Sequence, residues 1–91
     1  TQLVICEPFL LPVKDKEEQF AAMMKYLVPV QEKAKLIAER NGAVFVPLQK
    51  KFEEMGKKYG NEYWIWDGVH PTVCGHRIIA DEWLRCCEKI L

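Results

Sequence analysis

Two short runs of consecutive apolar residues lie at positions 3–6 and 44–46, and a proline follows each run within two residues. Runs of this kind are typical of strands buried on both faces of a parallel sheet. Between them, apolar residues recur at spacings of one, three or four, which predicts a helix with one apolar stripe. The members of this stripe are Phe20, Met23, Met24, Leu27, Val30, Ala34, Ile37 and Ala38. Strand, helix and strand together predict a βαβ unit with parallel strands and a right-handed crossover.

The predicted helix carries signals at its start, middle and end. Asp15 and Glu18 have the D-x-x-E spacing of a capping box, so we expect the helix to begin there. Pro29 removes one amide donor and clashes with the carbonyl of the preceding turn, which predicts either a kink or two helices with Pro29 in the first turn of the second. Asn41 and Gly42 form a stop signal.

The residue pattern in the second half of the chain predicts two further helices with an aromatic, turn-rich loop between them. A short amphipathic helix spans about residues 49–58, and Thr72 is the expected N-cap of a final helix. The apolar stripe of that final helix contains Ile79, Trp83, Cys86, Cys87 and Ile90. We therefore expect Trp83 to be buried against the sheet. Two strands make an incomplete α/β layer, because a parallel sheet usually has four or more strands and helices on both faces.

Composition narrows the class of protein. With 91 residues and 10.6 kDa, the chain forms one small domain at most, and 49% hydrophobic residues suffice for a core. Thirteen basic residues are balanced by thirteen acidic ones. This balance leaves no basic field for a phosphate backbone, so we predict no nucleic-acid partner. No apolar run approaches the roughly 20 residues of a membrane-spanning helix, so we predict no membrane span.

The cysteines indicate neither a zinc finger nor a disulfide framework. No C-x-x-C pair is present, and the adjacent Cys86 and Cys87 cannot both face one metal ion from a regular helix. In a helical apolar pattern a free cysteine behaves as a small hydrophobic residue. We therefore expect reduced thiols and a cytoplasmic location.

The strongest candidate for chemistry is the pair Asp67 and His70. The two residues stand three apart around Gly68 and before Pro71, so the backbone turns and the side chains can meet. A carboxylate beside an imidazole forms the base and orienting group of a nucleophilic catalytic site. We predict a carboxylate oxygen within about 2.6–3.2 Å of the imidazole. Asp-Gly is also an ordinary turn dipeptide, so the spacing alone leaves a purely structural turn open.

Two other readings of this region remain. Asp67, His70, Cys74 and His76 place four metal-competent side chains within ten residues. Cys74 and His76 would leave the start of a helix in nearly opposite directions, so we predict no metal and no other cofactor. Cys74 could in principle be a nucleophile beside His70, but a structural cysteine at a helix start is the more frequent case.

The residues around the Asp67–His70 pair carry a family resemblance. Residues 66–72 read W-D-G-V-H-P-T, and residues 75–84 follow the pattern G-H-x-x-I-A-x-x-W-L. These blocks closely resemble the C-terminal block of the SGNH hydrolases, also called GDSL-type lipases, esterases or acylhydrolases. The earlier strand–helix–strand portion is similar to the family's last two strands and their crossover. The resemblance implies a flavodoxin-like, three-layer α/β fold with a parallel sheet, of which residues 1–91 would be the C-terminal half: a βαβ unit plus C-terminal helices.

The same resemblance assigns Asp67 and His70 to the family's catalytic triad, whose third member is a serine near the N-terminus of the domain. The chain contains no serine, and its only threonines are Thr1 and Thr72. The chain also begins without methionine and enters a strand almost at once. We therefore expect a segment of a longer protein that is inactive by itself, does not form a complete domain, and needs the missing N-terminal half as its partner.

The expected activity is hydrolysis of a small ester. The resemblance allows acetylated carbohydrates, short-chain esters or lysophospholipids, and the lack of an apolar lid segment favours small acyl groups. Ligands of open α/β sheets bind beyond the carboxyl ends of the strands, so Glu7, Phe9, Trp64 and Trp66 are candidates for a substrate wall. For the two tryptophans we favour packing in the core. The alternative function is a noncatalytic βαβ module that binds a partner through its open sheet edge.

Overall fold

Two parallel strands lie at the centre of the fold. In the computed structural model, which describes residues 1–91, strand β1 (Val4–Cys6) pairs in parallel with strand β2 (Val44–Val46), and Ile5 lies opposite Phe45. The predicted strands and their parallel pairing are therefore confirmed.

A single long helix, α1 (Glu17–Arg40), connects the two strands. The predicted capping box is wrong: Asp15 has a φ of 69°, and no side chain caps the helix at Lys16. A capping residue needs an extended backbone, which the left-handed conformation of Asp15 does not provide. The alternative of two helices is also wrong, because Pro29 lies inside one uninterrupted helix. Pro29 removes only one backbone hydrogen bond from a helix that packs on both strands.

Three further helices follow β2. They are α2 (Gln49–Tyr59), α3 (Asn61–Trp64) and α4 (Val73–Cys87), and a 3-10 turn (Glu88–Ile90) ends the chain described here. The predicted cap of the last helix is confirmed, because the Thr72 hydroxyl accepts a hydrogen bond from the Gly75 amide at 3.0 Å.

Helices cover the sheet on both faces. Side chains alternate along a strand, so Val4 and Val46 point to one face, where they pack with residues of α4 in the main core. Ile5 and Phe45 point to the other face, and α1 contacts both strands. The result is an α/β arrangement with a helix layer on each side of a two-stranded sheet.

The main core lies between β2, α2, the segment after β1 and the start of α4. Its fully buried members are Leu11, Val46, Leu48, Phe52, Trp64, Ile65 and Ile78. The final helix presents a slightly different face from the predicted one: Trp83 is only half-buried against this core, and Ile90 is 44% exposed. The buried positions of α4 are Gly75, Ile78, Glu82 and Cys87. Gly75 permits this packing, because its missing side chain lets the helix approach the backbone of Trp64.

Helix α1 leaves several large apolar side chains exposed. They are Met23, Tyr26, Val28, Val30, Leu36 and Ile37. Leu10, Met23, Tyr26, Leu27 and Val30 line a shallow, wholly apolar groove beside this helix. None of the helices combines the length and the apolar character needed to cross a membrane.

Candidate active site

The candidate site is the loop between α3 and α4, and it is closed at its base by backbone pairing. The Thr72 amide donates to the Trp64 carbonyl at 2.8 Å, and Ile65 forms an antiparallel bridge with Pro71. Further in, the Trp66 amide donates to the His70 carbonyl at 3.2 Å. These contacts fix both ends of residues 66–70 to the folded core.

Gly68 fixes the tip of this loop to the segment that follows β1. Its carbonyl accepts a hydrogen bond from the Leu11 amide at 3.2 Å, and its φ is 91°, a conformation that favours glycine. A Cβ atom at this position would lie 2.9 Å from the Leu11 carbonyl oxygen. Leu11 is buried, so the loop rests on a rigid part of the structure.

Inside the loop, the Asp67 carboxylate contacts His70 twice. Oδ1 accepts hydrogen bonds from the amides of Val69 at 2.9 Å and His70 at 2.6 Å. Oδ2 lies 2.5 Å from Nδ1 of His70, so the two side chains meet as the spacing predicted. The Asp67 side chain is 13% exposed, whereas that of His70 is 67% exposed. The imidazole therefore faces solvent, while the carboxylate that contacts it is sheltered.

The hydrogen bonds around Asp67 keep its carboxyl group ionised. The His70 amide makes the largest contribution and lowers the pKa of Asp67; partial burial opposes it, and the imidazole and the Val69 amide lower the pKa further. An ionised carboxylate can only accept, so Nδ1 of His70 carries the hydrogen of the shared bond. Nε2, which has no hydrogen-bond partner, is then the basic nitrogen of the neutral ring.

This shift gives a prediction for acid stability. Because the pKa of Asp67 in the fold lies below the ordinary value of about 3.9, the ionised group stabilises the fold above that value. The stabilisation is lost as the pH falls towards the lowered pKa. Asp67→Asn keeps an oxygen for the two amides but removes the charge. We expect its thermal midpoint to fall less steeply than that of the wild type between about pH 4 and pH 2. Identical slopes in the two proteins would contradict the lowered pKa.

Three of the four predicted substrate-wall residues make contacts that stabilise the fold. The Glu7 carboxylate accepts from the amides of Leu48 at 3.0 Å and Gln49 at 2.8 Å, which caps the start of α2. Phe9 stacks on the buried ring of Phe52, with centroids 4.3 Å apart. Both side chains are thus engaged within the fold, and their place at a substrate wall stays a prediction.

Trp64 is the third of these residues. It is buried in the main core, as the packing interpretation favoured, and its indole Nε1 donates to the Met55 carbonyl at 2.9 Å. The favoured core packing is wrong for Trp66, which is 63% exposed. Its ring stacks on the imidazole of His70.

The role of Glu7 can be tested directly. Glu7→Ala leaves two amides at the start of α2 without an acceptor, and we expect a loss of about 0.5–2 kcal/mol in the free energy of unfolding. Glu7→Gln retains an amide oxygen and should recover part of that loss. Denaturant titration of the full-length variants measures both. A large rise in KM with unchanged stability would instead place Glu7 against the substrate.

The other reactive side chains lie apart from the Asp67–His70 contact. Cys74 packs against the main core, His76 is exposed on α4, and no group of side chains in the structure could hold a metal ion. All four cysteines are unpaired, and the cytoplasmic location stays a prediction.

The sequence interpretation missed the residues that support the site. Gln49, to which the sequence interpretation gave no role beyond the start of a helix, is buried: its side chain exchanges hydrogen bonds with both the amide and the carbonyl of Leu10, at 2.9 and 2.8 Å. This fixes the segment on which the Gly68 tip rests. A polar residue two positions after Pro47, the proline that follows the second strand, was the available signal.

Comparison with known proteins identifies relatives of this arrangement. Residues 3–83 match the family model of the GDSL-like lipases and acylhydrolases. An acetylxylan esterase from Geobacillus stearothermophilus is 31% identical over 83 residues, which are 91% of this chain and 36% of that protein.

Solved structures show the same fold. A protein from Parabacteroides merdae described as a GDSL-like lipase superposes with a TM-score of 0.73 at 29% identity, over 94% of this chain and 39% of that one. A catalytic mutant of an acetylxylan esterase from Geobacillus stearothermophilus gives 0.70 at 30% identity, over 92% and 36% of the two chains. An α/β hydrolase from the metagenome of Lake Arreo, at 24% identity and a TM-score of 0.74, supports the fold alone. The chain thus spans little more than a third of the length of these relatives.

Proposed function

Since this chain belongs to the family of GDSL-like lipases and acylhydrolases, we propose that it is the C-terminal part of a serine esterase in which His70 is the general base and Asp67 its orienting group. The observation that carries the proposal is the 2.5 Å contact between Asp67 Oδ2 and His70 Nδ1. This contact leaves Nε2 as the free basic nitrogen on an exposed ring. A free Nε2 beside a carboxylate-bound Nδ1 is the arrangement that a serine nucleophile requires.

The proposed reaction proceeds through an acyl-enzyme. Nε2 of His70 removes the proton from a serine hydroxyl, and the serine oxygen attacks the ester carbonyl carbon. The tetrahedral intermediate then breaks its bond to the alcohol oxygen, which takes the proton back from His70. Water repeats the two steps and releases the acid. Asp67 stabilises the imidazolium that forms in each half without itself taking up the proton.

The serine must lie outside residues 1–91, because this sequence has none. We propose that the remainder of the domain supplies it, together with the donors that bind the oxyanion. The two-stranded sheet and the exposed apolar face of α1 support this arrangement, since further strands and helices would cover both. By this proposal the 91 residues alone have no esterase activity.

The proposed substrates are esters of small acyl groups, with acetylated carbohydrates as the leading class. Support comes from the acetylxylan esterase that is 31% identical over 83 residues. Trp66 is the candidate wall residue whose ring remains exposed beside the imidazole.

The test is hydrolysis by the full-length protein of para-nitrophenyl acetate, para-nitrophenyl decanoate and acetylated xylan, in parallel with the 91-residue chain. We expect the full-length protein to release acetate from both acetyl substrates, with a higher kcat/KM for the aryl acetate than for the decanoate, and the short chain to be inactive. No acetate release by the full-length protein would refute the proposal.

A further inference from the structure

Trp66 has a defined geometric relation to the proposed base. Its ring lies 5.7 Å from the His70 imidazole, centroid to centroid, and the two planes are inclined by only 22°. The Trp66 amide also donates to the His70 carbonyl at 3.2 Å, so the backbone holds the two residues side by side. The stacking therefore follows from the pairing at the base of the loop.

Few other contacts hold the imidazole ring of His70 in place. Its single hydrogen-bond partner is Asp67, which contacts the ring edge at Nδ1, and its single aromatic neighbour is Trp66, whose ring is stacked on it. The side chain is 67% exposed. A hydrogen bond at one edge does not fix the inclination of the ring plane, and a change in that inclination displaces Nε2, which no hydrogen bond holds.

We propose that Trp66 is a positioning residue for His70: its indole face prevents this change of inclination and keeps Nε2 in line with the serine hydroxyl and the leaving alcohol. This inference rests on the proposed function, because it assigns Nε2 the role of base. Stacked aromatic rings attract one another, and general-base catalysis is sensitive to small displacements of the reacting atoms. Loss of the indole is therefore expected to lower kcat by roughly 10- to 100-fold.

The position of Trp66 also suits a contact with the substrate, and the two roles give different kinetics. If Trp66 has a positioning role, its loss lowers kcat and leaves KM of a small substrate within about twofold. The substrate then binds with the same affinity, but proton transfer is slower. A substrate contact raises KM of acetylated xylan more than KM of para-nitrophenyl acetate, whose alcohol portion is smaller.

The experiment compares Trp66→Ala and Trp66→Phe in the full-length protein with Tyr59→Ala as control. Tyr59 is also an exposed aromatic residue with aromatic neighbours, but neither of them is His70. We expect Trp66→Ala to lower kcat on para-nitrophenyl acetate at nearly constant KM, Trp66→Phe to recover most of the loss, and Tyr59→Ala to match the wild type.

A second readout does not depend on activity. Protons above an indole face are shifted upfield in NMR spectra, and the His70 ring protons can be assigned by their absence in His70→Ala. Trp66→Ala should move them downfield, and Trp66→Phe should move them less. Unchanged ring-proton shifts in Trp66→Ala, or a normal kcat in that variant, would overturn the positioning role while leaving His70 as the base. Full activity in His70→Ala would instead refute the proposed function itself.

Discussion

Replacing His70 by alanine in the full-length protein is expected to lower kcat for para-nitrophenyl acetate by about 10⁴-fold or more. The reason is that Nε2 of His70 is the proposed proton acceptor, and the other histidine of the chain, His76, lies on the surface of α4 outside the loop. The fold should remain intact. The His70 ring is largely exposed, and its backbone amide still donates to Asp67 after the substitution.

His76→Ala is the matched control for this experiment. It removes the same side chain from another exposed position, and we expect its kcat and KM to equal those of the wild type. Circular dichroism and thermal unfolding of both variants establish that the fold is retained. Equal losses in the two variants, or a His70→Ala protein with wild-type turnover, would move the base away from the Asp67–His70 loop.

Most elements that depend on neighbouring residues were predictable from the sequence, and the capping box at Asp15 was an exception. The strands are short apolar runs followed by proline, and the long helix has a continuous apolar stripe, so both could be read from local spacing. Thr72 was predictable for the same reason, since a cap contacts an amide only three residues away. The Asp67–His70 contact belongs to this group, because a three-residue turn brings the two side chains together.

Features that depend on distant contacts were not predictable in this way. The buried face of α4 is set by the approach of Gly75 to Trp64, eleven positions earlier in the chain, and the helical stripe alone pointed to Trp83 instead. Glu7 was placed at a substrate wall because it follows a strand. Its actual partners are amides at the start of α2, some forty residues away. A sequence pattern shows which side chains follow the end of a strand. Their partners, however, depend on where later elements of the chain pack against that end.

Gly75 connects the packing of α4 to the geometry of the site. A Cβ atom at this position would collide with the Trp64 carbonyl oxygen and would come within 3.0 Å of the Pro71 side chain. The same carbonyl accepts the Thr72 amide that closes the base of the loop. Gly75→Ala must therefore shift backbone atoms at both ends of the segment that carries Asp67 and His70.

We expect Gly75→Ala in the full-length protein to lower the free energy of unfolding by about 1–3 kcal/mol, the usual cost of overpacking. We also expect it to lower kcat for para-nitrophenyl acetate by roughly 10- to 100-fold, because the imidazole is displaced from its productive position. Denaturant titration and steady-state kinetics measure the two effects.

Gly42→Ala separates the site effect from general destabilisation. Gly42 has a φ of 62°, so alanine is strained there, but an added Cβ would meet no atom within 4 Å. It precedes β2 at the amino end of the strand, whereas the loop rests on the segment that follows β1. We expect Gly42→Ala to lower the free energy of unfolding by about 1 kcal/mol and to leave kcat unchanged.

If the two alanine variants lose stability to a similar extent but differ in kcat, the loss of turnover comes from the displaced loop. A Gly75→Ala protein with wild-type kcat would show that the site does not depend on how closely α4 packs on Trp64.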